Sequence, residues 1–349
     1  MNPTAPPATS AHETPARTRA ARGSTALVLA GPILLALTVA SVGLGARDIS
    51  PLDVLRILLD PAGTGYDHDV LWTERIPRTL LGLAVGAALG AAGLIMQAVT
   101  LNPLADPGIL GVEQGAAAAV VLGILCLDAQ DASTYFWLAL TGSALTAALV
   151  HAIGTRTNTG STTVGLVLAG VAVAAVLSSV ITLLVVRDEA VFSALRFWSL
   201  GQLTGRSQVL PELAPFALAG LLLALPLGRT LNILALGDDA ARGLGVRVAR
   251  AQLAAAAVAV LLCAAATAAV GPVAFVGLVA AHMARLLVGA DHRWALPLAM
   301  AVGAALLVGA DTAGRLVLDH GEIQVSVMTA AVGVPFFVWL ARRRDLVRM

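Results

Sequence analysis

Ionisable side chains are sparse in this chain, so each one within or beside an apolar stretch is a candidate for chemistry. His282 and Arg285 are spaced to share one face of a helix. Such a histidine could hold a metal or relay a proton, but no second histidine or carboxylate stands at ligand spacing, so polar packing is the expectation. Asp311 and Arg315 are spaced to pair on one helix, and Glu322 can place its charge at the start of the next. Arg75-Ile76-Pro77-Arg78 sets two positive charges around a proline suited to a first helical turn. That pair reads either as a membrane anchor or as a fixed positive patch. Gln97 interrupts an apolar run, and Asn102-Pro103-Leu104-Ala105-Asp106-Pro107-Gly108 follows it as a rigid irregular turn. Non-helical backbone beside a membrane is buried in protein or lines a cavity. A tight turn between helices explains the shape but not why Gln97 interrupts an apolar span, so Gln97, Asn102, Pro103, Asp106 and Pro107 stay either as such a turn or as candidates for a translocation path or gate. No nucleophile triad, metal cluster or nucleic-acid patch stands out in the sequence. No cofactor, metal or enzymatic activity is expected. Every basic residue is arginine, which excludes a Walker A loop with its phosphate-binding lysine.

The elements that must position these residues span a membrane. Of 349 residues, 58% are hydrophobic and 12% charged, the balance of a polytopic membrane protein. A net charge of +1 argues for no particular partner. Cys126 and Cys263 lie in apolar stretches and read as buried free thiols. Residues 1–23, rich in Ala, Pro, Thr and Arg, read as a disordered cytoplasmic tail. The run Thr25 to Ala46 is long enough to span and reads as a retained first helix. Further spans are predicted at about 79–99, 112–127, 135–153, 164–186, 212–228, 251–270, 273–290, 294–314 and 325–341, making ten. Those at 112–127 and 212–228 are short. Ten spans starting inside put both termini in the cytoplasm, and the arginine distribution has the matching bias. Segments 47–78 and 187–211 then lie outside and are expected to carry interfacial helices. Residues 24–343 form the membrane domain and 344–349 a cytoplasmic tail.

Leu231 to Arg250 is a polar island between apolar runs. Asp238 is suited to cap a short helix, Ala240 and Ala241 favour it, and Gly243 and Gly245 end it. Leu236 and Leu244 stay apolar among charged neighbours. The island reads as a helical elbow outside the bilayer, either resting on headgroups or offering an apolar knob to a partner.

Together these segments resemble the FecCD family, permease subunits of bacterial ABC importers for ferric siderophores, haem and cobalamin. The resemblance runs over about residues 25–343 and rests on four motifs in order. They are R-I-P-R before the second span, N-P-L-A-D-P-G-I-L-G after it, A-L-G-D-D-A-A-R-G-L-G in the elbow, and G-P-V-A-F-V-G-L-V-A-A-H-M-A-R. The resemblance implies an all-α fold of about ten transmembrane helices, the type II importer permease architecture, in a bacterial cytoplasmic membrane. It implies a second permease subunit, identical or paralogous, a cytoplasmic ATPase dimer and an external solute-binding lipoprotein. It makes Leu236, Gly237, Asp238, Ala241, Leu244 and Gly245 the surface that couples to the ATPase. It makes Arg75, Arg78 and Arg315 the arginines that meet acidic residues of the binding protein. This sequence departs from the family pattern at Glu113-Gln114 and at Gln324. A stand-alone transporter driven by an ion gradient is the rival reading. Against it, the middles of the second, fifth, sixth, seventh and tenth spans carry no charged residue.

Overall fold

Lipid offers backbone groups no hydrogen-bond partner, so a spanning chain must pair them internally. This chain does so with helices. The computed structural model describes residues 16–45, 49–60, 63–156, 162–318 and 321–342, and no strand occurs among them. The tail at 344–349 and residues 1–15 of the expected N-terminal tail lie outside the described residues. So do Arg47, Arg343, Arg344 and His320.

In chain order the helices are α1 (Ala16–Gly43), α2 (Pro51–Leu59), α3 (Tyr66–Asp69), α4 (Ile76–Thr100), α5 (Val112–Leu127), α6 (Ala132–Gly154) and α7 (Thr162–Arg187). They continue with α8 (Glu189–Ser199), α9 (Leu210–Leu234), α10 (Asp238–Gly243), α11 (Val248–Val270), α12 (Val276–Val288), α13 (His292–Leu316) and α14 (Val325–Arg342). Val70–Arg75 forms π-helical turns that fuse α3 to α4, so helix runs unbroken from Tyr66 to Thr100. Among the described residues seven apolar helices are long enough to cross a membrane, and α5, α12 and α14 are shorter apolar helices. Their sum is the ten expected spans.

Several boundaries differ from the sequence reading, among them the second span, whose helix starts at Tyr66 and not at about 79. The first helix begins at Ala16, inside the expected disordered tail. The span predicted to end at 228 continues to Leu234, because Leu231 and Leu234 are buried and Gly228 packs on the backbone of His292 and Arg293. The span predicted over 273–290 shrinks to the 13 residues of α12, preceded by an irregular turn at Gly271–Phe275.

Packing centres on α4, which touches α9, α11, α12 and α13. Apolar burial gives no net drive between helices already in lipid, so close backbone approach has to supply van der Waals contact. Gly82, Gly86, Gly90 and Gly93 give α4 that face. A Cβ on Gly86 would stand 2.7 Å from the Ala304 Cα, and one on Gly93 2.6 Å from the Gly277 Cα. In contrast, α1 and α7 bury little of their surface within the chain. The up-and-down path sorts the connections to two ends. One, the rim, holds the C-termini of α1 and α13 and the start of α4. The other holds α10 and the turns after α4 and α12.

Candidate functional site

At the rim the three candidate arginines come together, with their donors turned into the protein. The last carbonyls of a helix lack intrahelical partners, and an arginine can satisfy them. Arg75 Nη1 donates to the carbonyls of Val42 (3.0 Å) and Gly43 (2.8 Å) at the end of α1. Arg315 Nη2 reaches the Ser41 carbonyl (3.1 Å) and hydroxyl (2.9 Å), and its Nη1 the Leu44 carbonyl (3.1 Å). The Ser41 and Thr79 hydroxyls meet at 2.8 Å. Arg75 and Arg315 thus hold α1 against α4 and α13, and both are buried.

Arg78 is the centre of a wider ion-pair chain. It grips Asp311 through Nη2 (2.7 Å) and Nε (3.1 Å), and Glu322 through Nη1 (2.9 Å). Asp311 also lies 3.3 Å from Arg315 Nε as an ion pair without a hydrogen bond, the pairing expected from their spacing. Glu322 accepts from the Thr204 hydroxyl at 2.6 Å. Burial alone would push the Glu322 carboxyl up. The Thr204 hydroxyl and the Arg78 and Arg315 charges outweigh burial and hold it below the usual carboxylate range. Glu322 was expected only to charge a helix start; here it ties the turn before α14 to the segment between α8 and α9. A cleft of ≈ 170 Å³ opens beside this chain, lined by Asp67, Glu74, Arg75, Arg78, Arg315 and Glu322.

At the opposite end α10 stands between two glycines in the left-handed region, Gly237 (φ 91°) and Gly245 (φ 81°). Gly237 occupies the cap position expected for Asp238, which instead begins the helix and pairs with Arg242 (3.3 Å) alongside Asp239 (2.9 Å). Leu236 and Leu244 are each 63% exposed. Ala241, read from the sequence as part of the coupling surface, is fully buried where α10 packs on α9 and α11. Its side chain is turned into the bundle and is not available to a partner.

The turn after α4 spends its polar groups on its own shape. The Asn102 side chain accepts from the Leu104 N–H (2.9 Å) and the Asp106 side chain from the Gly108 N–H (2.8 Å). Burial raises the Asp106 carboxyl, and the Gly108 bond only partly offsets it. Pro107 is buried, while Asn102 and Pro103 are exposed. Gln97 is buried, and its Oε1 accepts from Arg285 Nη2. Neither residue's partner was legible from spacing. His282 Nδ1 lies 2.9 Å from the Leu278 carbonyl and its ring meets Phe337 edge-on, the packing role expected of it. No group of three metal-ligating side chains occurs among the described residues. Gln97→Leu should remove the only hydrogen-bond partner that the Arg285 side chain has among the described residues, costing about 1–3 kcal/mol. Thermal melting of the purified protein in detergent checks this, and Gln97→Glu, which supplies a counter-charge, should not show the loss.

Sequence reading missed the Arg78–Glu322 pair and the cluster at the start of α13. There the Asn232 amide donates to Asp291 (2.7 Å) and its carbonyl accepts from the His292 N–H (2.8 Å). The Arg293 guanidinium, opposed by partial burial and helped by Asn232, holds the Asp291 carboxyl down at about 2. The available signal was an Asn and an Asp each beside an apolar run.

Among the described residues, a bundle of ten apolar helices with glycine-faced packing and a short helix set outside it defines a polytopic membrane protein. The model of the FecCD transport family matches residues 33–343, and the chain belongs to that family. It is 42% identical over 314 residues to the ferric enterobactin transport system permease protein FepD of Escherichia coli (strain K12), covering 89% of this chain and 93% of that one. It is 40% identical over 312 residues to the probable siderophore transport system permease protein YfiZ of Bacillus subtilis (strain 168), with the same coverage. A solved metal-chelate type ABC transporter in an inward-facing conformation superposes with a TM-score of 0.79 at 27% identity, over 92% of this chain and 99% of that one. The fold is that of ABC importer permeases.

Proposed function

We propose that this chain is the membrane-spanning permease subunit of an ATP-binding-cassette importer that brings a ferric siderophore or related metal chelate into a bacterial cell. The family match across residues 33–343 carries this reading. Relatives named for siderophore and ferric enterobactin transport support the cargo class. In this reading ATP is hydrolysed by separate cytoplasmic subunits, and the α10 end faces them with both termini on the same side. Leu236 and Leu244 seat in a groove of the ATPase dimer, with Gly237, Asp238 and Gly245 setting their presentation. The rim faces an external solute-binding protein. Arg78 and Glu322 offer it mixed charge there, and Arg75 and Arg315 keep the rim in shape. A second permease subunit completes the pathway. Gln97 with Arg285, and the turn carrying Asn102, Pro103, Asp106 and Pro107, frame its cytoplasmic mouth.

The test is uptake of a radiolabelled ferric siderophore into vesicles holding the permease, its ATPase and its binding protein. Uptake should require ATP hydrolysis. Leu236→Glu with Leu244→Glu should release the ATPase on purification and lower uptake at least tenfold, since each buried leucine is worth about 1.5–3 kcal/mol. Uptake by the permease alone under an ion gradient, without ATP, would overturn the proposal.

A further inference from the structure

The helix α2 has three faces. At about 100° per residue, Val54 and Ile57 share one sector, four leucines a second and two charges a third, with centres roughly 120° apart. Val54 is 5% exposed and packs with Val42 and Leu71, with Ile57 against the same cluster. Leu52, Leu55, Leu58 and Leu59 are 67%, 53%, 41% and 77% exposed. The third sector is satisfied within the helix itself. Asp53 holds Arg56 at 3.0 Å, and Ser50 caps the first turn by accepting from the Asp53 N–H and donating to its carboxylate. A water-exposed helix has no use for four leucines on one side, and a spanning helix could not be this short.

We infer that α2 lies in the plane of the membrane, in the leaflet at the rim end, with its leucine sector among the acyl chains and its charged sector in the headgroups. The occupant of the leucine face is lipid because α2 is packed on the end of a helix whose own outer side is apolar and exposed over its length. The apolar outer side of α1, with Leu29, Ile33, Leu35 and Val39 all at least half exposed, ends at Gly43, and α2 starts at Pro51 packed against that same end. A helix apolar on one side and charged on the other settles at this boundary. The inference needs only that the chain is embedded in a bilayer, not that it is an importer.

The experiment uses the full chain, with Cys126→Ala and Cys263→Ala, in vesicles of phosphatidylethanolamine and phosphatidylglycerol. Nitroxide labels at Leu55→Cys, Leu59→Cys, Asp53→Cys and Arg56→Cys are compared for collision with oxygen and with a water-soluble nickel chelate. Leu35→Cys on α1 reports that the background variant is folded and embedded. The oxygen-to-nickel ratio should be several-fold higher at positions 55 and 59 than at 53 and 56. Equal ratios at all four positions would put α2 in water and overturn the inference. Labels at 55 and 59 shielded from both reagents would mean that protein covers the face, from a second permease or a docked partner, and would overturn it equally.

Discussion

Replacing Gly93 with leucine should abolish recovery of monodisperse full-length protein, whereas Gly31→Leu should leave the yield unchanged. The two glycines sit in equally apolar helices, so hydrophobicity does not separate them. A Cβ at Gly93 would fall 2.6 Å from the Gly277 Cα, which is backbone and cannot rotate away. At Gly31 it would meet nothing within 4 Å. Four added carbons between α4 and α12 would force the helices apart and forfeit their dispersion contacts along the whole line. Overpacking costs about 1–3 kcal/mol in cores that can relax, and more where only backbone can yield. Gly86→Leu should behave the same way, since its neighbour is the Ala304 Cα at 2.7 Å. Size-exclusion profiles of the three variants decide the matter. A normal profile for Gly93→Leu would mean that α4 and α12 are not held at backbone contact.

Asp311→Asn should be the most destabilising single change at the rim, by about 3–5 kcal/mol. Asp311 is the one acid that both Arg78 (2.7 Å) and Arg315 (3.3 Å) share. Its neutralisation leaves Arg315 without an ion pair at contact distance, with Glu322 as a more distant charge, and leaves Arg78 with Glu322 alone. The carboxylate side chain is 5% exposed, so water cannot substitute for it. Asp311→Glu keeps the charge and should recover part of the loss. Arg78→Gln combined with Asp311→Asn should cost less than the two single changes added together, because the pair fails as a unit. Melting curves in detergent measure all four variants, Arg78→Gln alone included. Additive losses would show that Arg78 and Asp311 do not depend on each other.

The ten apolar segments were legible because lipid imposes length and composition on each span separately. Partner choice was not legible. Arg78 meets acids that lie 233 and 244 positions away, and only the folded bundle brings them together. The sequence did show that Asp311 stood in an apolar helix and needed a partner. It named Arg315, four residues on, and could not name Arg78. The same limit misassigned Ala241: its residue type suited a helix, while its direction depended on how α10 leans on α9 and α11. The end of α9 was drawn too early because Gly228 and Arg229 look like an exit from the membrane. Gly228 is instead a contact point with the start of α13, and the exposed Arg229 has room to reach water.

The brevity of α12 has a consequence for which positions can change without harm. Thirteen residues rise about 20 Å at 1.5 Å each. The hydrocarbon layer is roughly 30 Å thick. The turn at Gly271–Phe275 makes up part of that difference, and it packs against the end of α8 and the segment that follows it. Its neighbourhood is wired as an interior. The Gly271 N–H bonds Thr267, the Gln202 N–H bonds the Val270 carbonyl, and the Phe275 carbonyl takes the Val279 N–H, all within 2.9 Å. Pro272 brings no N–H that would need a partner. A stretch that looks like an ordinary surface loop is thus held to the standard of a protein core. Lengthening it, or placing a tag there, would pull apart the backbone bond by which the segment after α8 is tied to the end of α11.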